Sequence, residues 1–205
     1  MQPNFFPYLG YLFMMIRSTF FVYYDTVQLS KQSWQTRNRI LSSTNSVSYI
    51  NLPLSKKSHY DLICNSTFPD SLDLSILCSD LINQLHSSYR YHPFWTDLKE
   101  YIVDVFDISE PSFNDILIRS SWLAFQELKR YGCVNMSVDH PIKASKLDIT
   151  LLEPGDSSLT KDHRIANIEL FLRYYSADAY LSPKGSLIYL NEPLSKLDKT
   201  NVSIK

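Results

Sequence analysis

Only four glycines, Gly10, Gly132, Gly155 and Gly185, occur in the 205 residues. Loops that cradle phosphate with backbone N–H groups need glycines in close succession, where the chain turns through positive φ or a ligand comes near. No Walker loop, dinucleotide fingerprint or solenoid repeat can be written on four scattered positions. A binding site in this chain must therefore be built from side chains. Net charge adds a second limit. Twenty basic and 21 acidic residues leave a formal charge of −1, so no overall positive field holds a nucleic acid by counterion release. Any anion site is local, and no nucleic-acid partner is expected.

Aromatic residues make up 14% of the chain, far too many for a disordered polymer. The length fits one domain, 1–205, able to bury a core without disulfides. Cys64, Cys78 and Cys133 are scattered and odd in number, as in a reduced, cytoplasmic protein. The five histidines stand apart from them and from each other, so no metal site is expected, and no cofactor is indicated. Residues 1–24 are apolar, but Pro3 and Pro7 interrupt them and Arg17-Ser18-Thr19 end the run short of a bilayer span. Neither a signal nor a transmembrane segment is expected.

Strand and helix patterns alternate. Leu9–Ile16 reads as a short apolar helix and Phe20–Tyr24 as a buried aromatic strand. Val47–Ile50 and Tyr60–Cys64 are further strand candidates. Leu74, Leu77, Cys78, Leu81 and Leu85 fall on one helix face, and Leu98, Ile102 and Val105 on another. Ser112 with Asp115 forms a capping-box start for a helix that Gly132 closes. Val134–Val138 alternates as a strand. A helix is predicted over Thr160–Tyr175, then short strands at Ala179–Leu181 and Leu187–Leu190. Asp139–Ser158 is the longest loop-like stretch. With few hairpin signals, the pattern predicts an α/β fold: a mostly parallel, Rossmann-like sheet with an inserted helical middle region at about residues 72–131.

The densest polar constellation follows the aromatic strand: Asp25-Thr26-Val27-Gln28, then Lys31, Gln32, Trp34, Gln35, Arg37, Asn38 and Arg39. Ligands of α/β sheets settle beyond the carboxyl ends of strands, which is where this segment falls. Lys31, Arg37 and Arg39 suit a phosphate or diphosphate, and Trp34 suits the face of a ring. Solvated surface cations paired with local acids would show the same composition. Gln2-Pro3 and Pro7-Tyr8-Leu9-Gly10 form a second feature, a rigid turn with a polar side chain and room for close approach. No Gly-x-Ser-x-Gly, HExxH or Cys/His pair is present.

Together these segments resemble the WbqC-like family. Met1-Gln2-Pro3-Asn4-Phe5-Phe6-Pro7-Tyr8-Leu9-Gly10-Tyr11 is similar to its opening Q-P-x-x-x-P-W/Y-x-G-Y/F. Residues Asp25 to Ile40 resemble its D-D-V-Q-F-x-K-x-S-W-x-x-R-N-R-I block without a gap. Val47–Leu54 resembles its W-L-x-x-P-V strand, Asn114 with Leu117-Ile118 its N-x-x-L-I helix, and Lys161–Tyr189 its K-x-x-R…GA-x-x-YLSG segment. Thr26 stands where the family has a second Asp. Leu77, Asp80 and Leu81 replace an expected Trp and Lys-His, while Ser176 and Pro183 replace glycines. The family begins earlier and runs further, so a first strand and a last helix are expected to be missing here.

The resemblance implies a cytoplasmic protein of O-antigen or surface-polysaccharide biosynthesis. Its substrate would be a small molecule, a sugar nucleotide or another phosphorylated donor, with an acyl or glycyl-like aminoacyl group passed to an amino sugar. In that reading Lys31, Arg37 and Arg39 hold phosphate and Trp34 stacks. Gln2 and Gln28 orient the sugar or acyl carbonyl, Asp25 orients the amine or takes its proton, Asn38 joins the cations in binding substrate, and Pro3 and Gly10 belong to the binding turn. Two other readings stay open: a non-catalytic binding or assembly protein of the same pathway, and an intramolecular tie made by the Trp-Arg-Asn-Arg block. The opening is also similar to that of nucleotidyltransferase-like enzymes, whose two-histidine signature this chain lacks.

Overall fold

A run of aromatic residues after a short helix has to be covered on both sides, and the chain does this with helices. The computed structural model describes residues 1–30, 32–42, 44–56, 61–132, 138, 141–148, 161–182 and 203–204. Helix α1 (Leu9–Arg17) leads into strand β1 (Val22–Tyr23). Hairpin strands β2 (Arg37–Leu41) and β3 (Val47–Asn51) follow, then helices α2 (Leu74–Tyr89), α3 (Trp95–Phe106) and α4 (Phe113–Arg130). Strand β4 (Ile142–Lys143), helix α5 (Lys161–Tyr174) and strands β5 (Ala179–Tyr180) and β6 (Ser203–Ile204) complete the order.

β1 pairs in parallel with β4, Val22 opposite Ile142. On its other edge Met1 donates its N–H to Val22 O and accepts from the Tyr24 N–H, both at 2.7 Å. Alternation then sends successive side chains to opposite sides. Tyr23 is buried against α1 and α4, its hydroxyl 2.8 Å from Ser121 Oγ. Tyr24 faces α5, taking a hydrogen bond from Asn167 and meeting the edge of Phe171. Helices therefore lie on both sides of β1, as in α/β proteins.

The helical middle arises where the periodicity placed it. Leu81 and Leu85 of α2, Ile102 and Val105 of α3, and Phe113, Ile116 and Leu117 of α4 pack in one cluster with Phe5, Ile50, Leu52 and Ile63. A second cluster joins α1, Phe21 and Tyr23 to Ile118 and Phe125 of α4. α4 thus serves both, and its start is fixed by the Ser112–Asp115 capping box. Gly132 ends it at φ +67°.

Four sequence expectations change. Among the described residues the sheets are all two-stranded, two parallel and one antiparallel. Helix and strand do mix as expected, while a broad Rossmann-like sheet is not seen among them. β2 replaces a polar, basic segment read without a strand and pairs with β3, the strand expected over Val47–Ile50, while β4 lies inside the supposed long loop. Residues 61–64 run beside 25–29 with hydrogen bonds from Leu29 N, Ile63 N and Cys64 N, but form one isolated bridge, Gln28 to Leu62, rather than a strand. Of the strand candidate over 134–138 only Val138, buried and outside any strand, is described, and the candidate over 187–190 falls outside the described residues. None of the described helices is long and apolar enough to cross a membrane.

Candidate functional site

The Gln-Pro opening and the Trp-Arg-Asn-Arg block meet in space. Phe5 N donates to Trp34 O at 2.8 Å, and Asn38 Nδ2 donates to Phe5 O at 2.9 Å and also to Phe6 O. Gln35, buried, donates to Gln2 Oε1 at 2.7 Å and accepts from Ser33 Oγ. Pro3 is buried beneath this contact. Asn38 and Gln35 are thus occupied in holding the N-terminal turn on the hairpin. Gly10 sits in the first turn of α1, where an added methyl would come within 2.5 Å of the Tyr8 ring.

The hairpin's register decides which cations face outward. Arg37 lies opposite Asn51 and Arg39 opposite Tyr49, with Asn38 opposite the buried Ile50. One face therefore carries Arg37, Arg39, Tyr49 and the adjoining Trp34. The Arg37 guanidinium lies 4.6 Å from the centre of the Tyr49 ring and that of Arg39 5.1 Å from the centre of Trp34. Both rings remain over 40% exposed. Among the described residues neither arginine has a carboxylate within ion-pair distance. A ring behind each guanidinium restrains it while its N–H donors stay available. Gln28 is exposed beside Leu62, and Lys31 lies outside the described residues.

Asp25 is elsewhere, beyond the carboxyl ends of both parallel strands. It is fully buried. Its Oδ2 accepts from Asn114 Nδ2 at 2.8 Å and Ser145 Oγ at 2.6 Å, and its Oδ1 from Ser145 N at 2.9 Å. Asn114 belongs to the first turn of α4 and Ser145 to the 3-10 turn Ala144–Lys146 after β4. The helix N-terminus favours a carboxylate at this point. One residue on, Asp115 accepts from Lys143 Nζ at 2.6 Å. Burial pushes the Asp115 pKa up, but hydrogen bonds from Lys143 and Ser112 outweigh it and hold the carboxyl below its ordinary range. Burial, and then the Asp25 charge, pushes the Cys64 thiol up. Asn114 Oδ1 and Thr26 Oγ1, both buried, have no hydrogen-bond partner among the described residues, leaving the cluster with unused polar capacity there.

The predicted site residues thus separate into three sets. Gln2, Pro3, Gly10 and Asn38 build the N-terminal turn. Trp34, Arg37 and Arg39 form an exposed face, and Asp25 anchors a buried cluster. Sequence reasoning missed Tyr49, Lys143 and Ser145, and gave no role to Asn114 beyond the resemblance. Tyr49 was legible in principle, since alternation places it level with an outward Arg. Ser145 carried no local signal, because its partner lies 120 residues away.

A family model described as the WbqC-like protein family matches residues 2–205. Neither curated proteins nor solved structures give a match.

Proposed function

The chain belongs to the WbqC-like protein family, and from that premise we propose that residues 1–205 act as one unit that binds a phosphorylated or nucleotide-linked sugar in surface-polysaccharide biosynthesis. The observation that carries this reading is the pair of ring-backed guanidiniums, Arg37 over Tyr49 and Arg39 over Trp34, on an open face without carboxylate partners among the described residues. Two restrained forks on one strand, with one residue between them, suit the oxygens of a phosphate or diphosphate. Each charge-assisted hydrogen bond contributes about 1.5–3 kcal/mol when shielded from water. The exposed indole of Trp34 offers a face for an attached ring.

In the transferring form of this reading, an acyl or glycyl-like aminoacyl group passes to the amine of the sugar, and Asp25 acts through Ser145, its hydroxyl oriented by the buried carboxylate. Gln28 and Gln2, both exposed, orient the sugar or acyl carbonyl, and Lys31 adds charge to the phosphate site. One observation favours a second reading, a cytoplasmic binding or assembly protein without turnover. Both oxygens of Asp25 are filled by protein donors and the residue is fully buried, so it presents no base to a substrate.

The test is calorimetric titration with UDP-N-acetylglucosamine, UDP and inorganic phosphate, using the wild type, Arg37→Ala and Arg39→Ala. Each substitution is expected to weaken binding at least tenfold, in line with one lost charge-assisted bond. Unchanged affinity in both variants would overturn the phosphate-binding assignment. Product formation from a labelled glycyl donor and an amino sugar separates the two forms.

A further inference from the structure

The side of β1 that turns away from Asp25 opens on a cleft of about 430 Å3, within the roughly 300–1,000 Å3 range of small-molecule sites. Its walls are rings from two distant parts of the chain. Phe20 stacks on Tyr175 with centroids 4.7 Å apart, and Tyr24 meets Phe171 edge-on at 5.4 Å. Aliphatic side chains of Val22, Ile168 and Leu172 complete the walls. Hydrogen-bonding side chains come from the two turns flanking it: Arg17, Ser18 and Thr19 after α1, and Ser176 and Asp178 after α5. Phe20 is 49% exposed although it is a large apolar ring.

The turn after α5 carries a second observation. Ser176 N donates to Arg173 O and Ala177 N to Leu172 O, which is a Schellman closure. Its left-handed position, φ +48°, is held by a serine rather than a glycine. A residue kept in a disfavoured conformation beside a cleft points to a use for that residue, and Ser176 belongs to the cleft lining.

We propose that this cleft binds a planar heteroaromatic ring of the nucleoside class, independently of the arginine face of the hairpin. The distribution of polarity selects the ligand. A pyranose carries hydroxyls around its whole rim, and each one buried against ring and aliphatic walls without a partner is penalised. A base has apolar faces and a polar edge. Its faces suit the Phe20–Tyr175 and Tyr24–Phe171 walls, and its edge suits Thr19 and Ser176, the Ser18 hydroxyl being engaged with Met14 O and Met15 O. Arg17, at the end of α1, suits whatever anion the nucleoside carries.

The experiment is a titration of the full chain, followed by backbone-amide NMR, with uridine, adenosine and N-acetylglucosamine as separate probes. A nucleoside is expected to shift resonances of residues 17–24 and 168–181 saturably, while N-acetylglucosamine leaves them in place. Phe20→Ala, which removes a half-exposed ring and so spares the core, is expected to weaken that binding about fivefold or more, the loss typical of one base-stacking ring. Tyr175→Ala is expected to act alike. Arg37→Ala is expected to leave nucleoside binding unchanged while weakening UDP, which separates this site from the hairpin face. The proposal is overturned by sugar binding in the cleft at equal strength, by no nucleoside-dependent shifts there, or by full affinity in Phe20→Ala.

Discussion

Replacing Asp25 by Ala should remove a buried knot that ties β1, α4 and the turn after β4. Three donors reach the carboxylate, two of them from Ser145 and one from Asn114. Hydrogen bonds to a charged group each contribute about 1.5–3 kcal/mol, and a donor left unpaired in the interior costs about 1–3 kcal/mol. Against this stands the desolvation of a carboxylate that is fully buried, worth several kcal/mol and recovered when the charge is deleted. Ser145 is itself exposed, so its donors recover water, whereas Asn114 does not. The balance is a loss of about 2–4 kcal/mol. In a protein of this size that lowers Tm by roughly 4–16 °C. Asp25→Asn should cost less, about 1–2 kcal/mol, because Asn114 can turn its unpartnered Oδ1 toward the new amide. Chemical denaturation of both variants beside wild type measures the order. An Asp25→Ala protein within 0.5 kcal/mol of wild type, or less damaged than Asp25→Asn, would refute the reasoning.

Other outcomes follow from the same geometry. Ser176→Gly should raise stability by about 1 kcal/mol, since a left-handed position costs an L-residue roughly 1–2 kcal/mol and the extra freedom of glycine in the unfolded chain takes back part of the gain; a lower Tm would contradict it. Asp115 has a folded pKa below its ordinary value, so its stabilisation is complete above the unfolded carboxylate pKa near 4 and is lost as pH falls through the folded value. Asp115→Asn should therefore flatten the stability profile below about pH 4. Urea melts of the two proteins between pH 2 and 6 would show parallel curves if this were wrong.

Elements with a local signal were legible from sequence. The helices over 74–89, 95–106 and 113–130 followed from spacing and from a capping box, because a helix face and its cap are set by residues three or four apart. β4 is two residues long and takes its identity from a parallel partner, so no window around Ile142 reveals it. β3 was legible as the strand over 47–50, but the hairpin it makes with β2 was missed for another reason. Its outward positions carry Arg37 and Arg39, which mask alternation in an apolar scan, and its turn uses no glycine. Asn45 supplies the left-handed residue instead, at φ +57°, a substitute that asparagine tolerates. Side-chain types at the site were also readable, but their grouping was not. Arg37 and Asn38 are neighbours in sequence and face opposite ways on a strand, so one joins the open face and the other holds the N-terminal turn.

The pairing of β1 with β4 has a consequence for synthesis of the chain. Asp25 leaves the ribosome 120 residues before Ser145, and at roughly 5–20 residues per second that interval is about 6–24 s. Throughout it, Phe21 and Tyr23 lack their strand partner, and for most of it α4, which begins at Phe113, is also still to come. Parallel strands closed over so long a loop form late. A nascent chain of this sequence therefore carries this aromatic segment unpaired for the whole of that interval, and its yield in a cell depends on what shields that segment as much as on the stability of the finished fold.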